Sequence, residues 1–169
     1  MSDVVGLRPT PNRVRETLFN WLQSITPGAR LLDVFSGSGA LGFEAASRGA
    51  AQVTMLEQQR DVVEQLQKTK QQLKAHQVNI VMTDALTWLS ENRLDFDVIF
   101  FDPPFHTDLI ARSLAAIRRN GLLSENTIIY IESEPQLALP DELIIDKQKQ
   151  TGQVQYGLYH FNNGCFGKQ

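Results

Sequence analysis

Leu31-Leu32-Asp33-Val34-Phe35-Ser36-Gly37-Ser38-Gly39-Ala40-Leu41-Gly42 is the stretch on which the fold turns. A short apolar run, the length of a buried strand, breaks into a glycine-rich turn. Helical sequence follows from Ala40 to about Ser47 and stops near Gly49. Gly37 to Gly42 fits G-x-G-x-x-G between a strand and a helix, and the acidic Glu57 lies about twenty residues further on. Strand, glycine turn, helix and acidic strand end are the parts of an α/β unit that holds a nucleotide-like ligand.

The same alternation extends in both directions. Upstream, Thr10-Pro11-Asn12 reads as a helix start, with a capping hydroxyl followed by proline where a missing N–H costs little. Val14, Leu18, Trp21 and Leu22 form one apolar face of that helix, and Pro27-Gly28 ends the unit. Downstream, strands are expected at Val53 to Leu56, Val78 to Met82, Val98 to Phe101 and Thr127 to Ile131. Helices are expected at Asp61 to about Ala75 (Val62, Leu66 and Leu73 inward), Ala85 to Ser90 and Asp108 to Asn120. Val98 to Phe101 is wholly apolar, as a strand buried on both faces should be. Leu143 to Gln150 and Val154 to Phe161 are separated only by a turn at Thr151-Gly152, which can join antiparallel strands alone. The expectation is a doubly wound, Rossmann-like α/β fold over residues 1–169 as a single domain: a mostly parallel seven-stranded sheet with a C-terminal antiparallel hairpin.

Composition excludes several classes. With 42% apolar and 21% charged residues, the chain is of ordinary globular make-up. No run of about 18 apolar residues suggests a membrane span, and the N-terminus lacks the look of a signal peptide. Cys165 is the only cysteine, so a cytoplasmic setting is expected. Sixteen Lys and Arg against nineteen Asp and Glu argue against a protein that coats nucleic acid through many phosphate contacts, though not against a local basic patch. His76, His160 and Cys165 show no metal-ligand spacing, so no metal is expected.

The glycine motif by itself leaves two ligands open, a dinucleotide and S-adenosylmethionine. Asp33 helps to choose between them. A carboxylate just before the loop repels a pyrophosphate, which favours a helix N-terminus, but suits the ammonium of a methionine moiety. Glu57 is positioned for ribose hydroxyls and Asp84, closing the third strand, for an adenine amino group. Ser36, Gly37, Gly39 and Ala85 complete the expected cofactor-binding set.

Asp102-Pro103-Pro104-Phe105 follows the most buried strand and should emerge at the same carboxyl edge of the sheet. Two prolines stiffen the turn and remove two N–H donors, leaving carbonyls and a carboxylate. The amine of a nucleobase is a poor nucleophile because its lone pair is delocalised into the ring. Accepting its protons with the Asp102 carboxylate and the Pro103 carbonyl would turn that lone pair toward a methyl donor, while Phe105 stacks on the base.

Asp102 to Phe105 resembles the [D/N]-P-P-[F/Y/W] segment of amino-methylating class I methyltransferases. Gly6-Leu7-Arg8-Pro9-Thr10, Arg13-Val14-Arg15-Glu16-Thr17-Leu18-Phe19-Asn20-Trp21-Leu22 and Leu32 to Gly39 narrow the likeness. Together they are similar to the bacterial small-subunit ribosomal RNA guanine-N2 methyltransferases, over essentially the whole chain. The resemblance implies a class I methyltransferase fold and methylation of one guanine N2 in 16S ribosomal RNA, with S-adenosylmethionine as cofactor. The implied partner is the 30S subunit or a late assembly intermediate. Asp33, Gly37 and Gly39 would line the methionine end, Glu57 would hold the ribose, Asp84 the adenine, and Asp102, Pro103 and Phe105 the target base. The basic, glycine-containing hairpin with which the family usually begins is expected to be absent here.

Arg8, Arg13 and Arg15 cluster at the first helix start and could contact phosphates, or could form a solvated or internally paired face. His106 could touch RNA or cover the pocket mouth. The chain is expected to act as a monomer. The rivals are a DNA adenine-N6 or protein glutamine methyltransferase, a nicotinamide-dependent oxidoreductase, and a non-catalytic assembly factor that binds S-adenosylmethionine.

Overall fold

A computed structural model describes residues 12–121 and 123–162. The elements run α1 (Asn12–Trp21), β1 (Arg30–Asp33), α2 (Ala40–Ser47), β2 (Gln52–Glu57), α3 (Arg60–Leu73) and β3 (Val78–Met82). They continue with α4 (Ala85–Glu91), β4 (Val98–Phe101), α5 (Leu109–Asn120), β5 (Ile128–Ser133), β6 (Leu143–Thr151) and β7 (Val154–Phe161). The expected helix start at Thr10-Pro11 lies outside the described residues.

The strands form one seven-stranded sheet in the order β3-β2-β1-β4-β5-β7-β6. From β3 to β5 every neighbouring pair is parallel; β7 pairs antiparallel with both β5 and β6. Chain order reverses between β1 and β4, and a crevice opens at the carboxyl ends of strands where such a reversal occurs.

Alternation along the strands divides the core between the two faces of the sheet. Leu31, Val98, Phe100 and Tyr130 pack toward α1, α2 and α3, with Val14, Leu18, Phe19, Phe43 and Leu66. Leu32, Ile99, Phe101 and Ile131 pack toward α4 and α5, with Leu89, Ile110, Leu114 and Ile117. Each residue of β4 is buried, which is why that strand reads as an unbroken apolar run.

Leu73 is 59% exposed, because it occupies the last turn of α3, where Lys74 takes a left-handed conformation and ends the helix. Of the α3 positions expected inward, Leu66 is buried and Val62 half-buried. The fifth strand also extends past Ile131, carrying Glu132 and Ser133 into the interior at 2% exposure each.

Candidate active site

Five parallel strand ends deliver the site. After β1, Asp33 leads into the glycine turn, where Gly39 adopts φ +83° as the N-cap of α2 and donates its N–H to the Ser36 carbonyl at 2.8 Å. A side chain at residue 39 would be strained and would run into the Phe43 ring, so glycine is required there. Ser36 Oγ donates to the Asp33 carbonyl at 3.0 Å and fixes the turn from within.

β2 ends on Glu57, whose Oε2 accepts from the backbone N–H groups of Gln58 and Gln59, both at 3.0 Å. This brace orients a half-buried carboxylate beside the glycine turn. Asp84, just beyond β3, caps α4: its Oδ2 accepts from the Thr87 N–H at 3.0 Å and the Thr87 hydroxyl at 2.9 Å. β4 delivers Asp102-Pro103-Pro104-Phe105, with Asp102 and Phe105 half-buried and Pro103 buried. His106 then takes φ +60°, and its N–H donates to Glu134 Oε2 at 3.3 Å, tying the turn to the end of β5.

These segments enclose a cleft of about 770 Å³. Asp33, Ser36, Gly37, Glu57, Asp84, Ala85, Asp102, Pro103, Phe105 and His106 all line it, so most residues picked out from the sequence converge. Gly39 does not line the cleft; its part is to shape the turn behind it. Arg13 and Arg15 stand away from the cleft on α1. Arg15 donates to Asn12 Oδ1 at 2.8 Å and lies 4.0 Å from Glu44 Oε1, an internal pairing, while Arg13 is exposed. Arg8 lies outside the described residues. Phe105 packs its ring against the α1–α3 side of the core and meets His106 edge-on at 6.4 Å between centroids.

Electrostatics singles out Asp33. It is 1% exposed, and its Oδ2 is one of two buried side-chain atoms without a hydrogen-bond partner among the described residues. Burial pushes its carboxyl up to about 7 from an ordinary 3.8; the Gly42 N–H opposes the rise and the nearby Glu57 charge adds to it. A buried carboxylate oxygen with no internal donor is stabilised by a cationic donor from outside the chain. Such a pocket suits an ammonium and is hostile to a pyrophosphate.

Sequence reading missed Glu132. It lines the cleft on the Asp102 side, buried, with Oε1 accepting the Tyr130 hydroxyl proton at 2.7 Å. Burial raises Tyr130 well above the usual phenol range, and the negative charges of Glu132 and Asp102 add to this, so Tyr130 stays a donor. The signal available beforehand was a Tyr-x-Glu alternation that places both side chains on one face of a strand.

Known proteins bear on this cleft. The family model described as "Conserved hypothetical protein 95" matches residues 1–160. Ribosomal RNA small subunit methyltransferase D of Escherichia coli (strain K12) is 42% identical over 160 residues, covering 93% of this chain and 81% of that protein. The chain belongs to the ribosomal RNA small subunit methyltransferase D family. The Haemophilus influenzae protein of that name is 44% identical over 160 residues, covering 91% of this chain and 83% of its own. A solved Escherichia coli structure, named for methyltransferase activity, superposes with a TM-score of 0.84 at 42% identity over 95% of this chain and 90% of that one. As a member of the methyltransferase D family, the chain carries the class I methyltransferase architecture expected from its sequence. Among the described residues of this family member, no His, Cys, Asp and Glu side chains group as metal ligands, and no helix is long and apolar enough to cross a membrane.

Proposed function

We propose that this chain transfers a methyl group from S-adenosylmethionine to the exocyclic N2 of one guanine in 16S ribosomal RNA. The observation that carries the reading is one cleft lined both by Asp33, with its unpartnered buried oxygen, and by Asp102-Pro103-Pro104-Phe105. The name shared by the relatives supports ribosomal RNA of the small subunit as substrate.

Asp33 would hold the methionine ammonium, with Ser36 and Gly37 shaping the wall around it. Glu57, braced by its two backbone N–H donors, would accept from the ribose hydroxyls. Asp84 and Ala85 would border the adenine. When bound there, S-adenosylmethionine supplies a methyl group on a positively charged sulfur. Asp102 and the Pro103 carbonyl would accept the amine's two N–H groups, turning its lone pair out of the ring, and Phe105 would stack on the base. Most of the rate gain assigned to these residues is positioning. Arg8, Arg13, Arg15 and His106 would face the surrounding RNA, and the chain would act as one domain and as a monomer in the cytoplasm, on the 30S subunit or a late assembly intermediate.

Asp102→Ala tests the assignment. Transfer to small subunits should fall by about 10²- to 10³-fold while S-adenosylmethionine affinity stays within about twofold, because this carboxylate acts on the amine alone. Unchanged transfer would remove Asp102 from the mechanism.

A further inference from the structure

Asp102 and Glu132 belong to neighbouring parallel strand ends. The last paired residues there are Phe100 with Tyr130 and Phe101 with Ile131. Side chains alternate along a strand, so Asp102 and Glu132 continue the face that carries Phe100 and Tyr130, whose rings meet edge-on at 6.0 Å. Neighbouring strands lie about 4.8 Å apart, so the two residues stand at adjacent positions on that face, and both line the cleft. Both also bear electrostatically on the Tyr130 hydroxyl. The hydroxyl bonds Glu132 Oε1 at 2.7 Å and so fixes the rotamer of a side chain that is 2% exposed.

Two adjacent acceptors match one nucleobase edge. Guanine presents its N2 amine and its N1–H next to each other, both donors. Adenine and cytosine present an amine beside a ring nitrogen that carries a lone pair. A second carboxylate beside Asp102 therefore gains a charge-assisted hydrogen bond from guanine and faces lone-pair repulsion from the other two. We infer that Glu132 is the specificity-determining residue of the base pocket, accepting the N1–H of the target guanine while Asp102 accepts from its amine. Tyr130 acts through Glu132 as a positioning residue. This inference rests on the proposed guanine-N2 reading.

The test compares small subunits whose ribosomal RNA carries guanine or 2-aminopurine at the modified position. 2-Aminopurine keeps the amine but has a lone pair in place of the N1–H. Wild-type enzyme should favour guanine in kcat/KM by roughly 10- to 100-fold. Glu132→Gln, whose amide can turn to donate, should shrink that ratio by about tenfold or more with S-adenosylmethionine affinity unchanged. Tyr130→Phe should lower the ratio severalfold. A wild-type ratio within about twofold of unity overturns the role of Glu132 without recourse to any variant, and so does a Glu132→Gln ratio equal to wild type. A wild-type enzyme that methylates no guanine overturns the parent reading along with it.

Discussion

Gly42 lies against Asp33 so closely that a Cβ on residue 42 would stand 3.1 Å from Asp33 Oδ2 and collide with Met55 Cε. The last glycine of the motif is thus a packing requirement beneath the carboxylate, on the first turns of α2. Met55 is fully buried, so its side chain must repack to make room. Gly42→Ala should cost about 1–3 kcal/mol of stability through overpacking. It should also weaken S-adenosylmethionine several-fold by pressing on Asp33. Thermal unfolding and calorimetric titration of the same preparation check both effects, and an unchanged affinity would separate Gly42 from the donor site.

If Asp33 holds the methionine ammonium as proposed, donor binding should depend on pH. In the unfolded chain its carboxyl titrates near 3.8, and in the fold burial raises it to about 7. Between those values the folded chain holds a proton that the unfolded chain has lost. This stabilisation is complete below the unfolded value and is lost as pH rises through the folded one. A bound ammonium favours the ionised form and expels the proton. S-adenosylmethionine affinity should therefore rise as pH climbs through this window and level off above about 7. Asp33→Asn should bind weakly with no such slope. Isothermal titrations in buffers of different ionisation enthalpy would report the released proton; a flat wild-type profile would contradict the assignment.

Asp84 caps α4 and lines the cleft, and substitution can separate the cap from the proposed adenine contact. Its Oδ2 is engaged by both the N–H and the hydroxyl of Thr87, so Asp84→Ala should lose about 1 kcal/mol of helix capping. Asp84→Ser can still cap but presents no carboxylate to the cleft. The serine variant should regain most of the lost melting temperature and little of the lost donor affinity. Recovery of both would reduce Asp84 to a cap.

Arg13 and Arg15 are proposed for the same RNA contact but start differently, Arg13 being exposed and Arg15 paired within the chain. Arg15 is already paired with Asn12 and Glu44, a partly exposed arrangement worth about 0–1 kcal/mol, so exchanging it for a phosphate should cost little. Each arginine that contacts a phosphate should contribute about one unit to the slope of log affinity against log salt. Arg13→Ala and Arg15→Ala, assayed for small-subunit binding at several salt concentrations, should each flatten that slope with donor affinity unchanged. An unaltered slope in both would move the RNA contact elsewhere.

What the sequence disclosed follows from how locally each feature is determined. Val98 to Phe101 declares a buried strand through composition alone, and Gly37 to Gly42 declares its turn through backbone conformations that few other residues tolerate. Convergence of Asp33, Glu57, Asp84 and Asp102 was legible because parallel strands all end at one edge. Glu132 was hidden because Glu-Ser-Glu after an apolar run looks like the start of a loop. Its burial comes from the Tyr130 hydroxyl and from β7 pairing alongside, which places Tyr156 opposite it, and neither is visible locally. Leu73 fits the apolar period of α3 and is nevertheless exposed, since periodicity cannot show that the helix ends at that residue, with Lys74 in a left-handed conformation.

Guanine-N2 transfer is tested by incubating labelled S-adenosylmethionine with small ribosomal subunits that lack base modifications, followed by nucleoside mapping. Label is expected in N2-methylguanosine at a single position of 16S ribosomal RNA. Label in another nucleoside, or none while S-adenosylmethionine still binds, would contradict the guanine-N2 assignment.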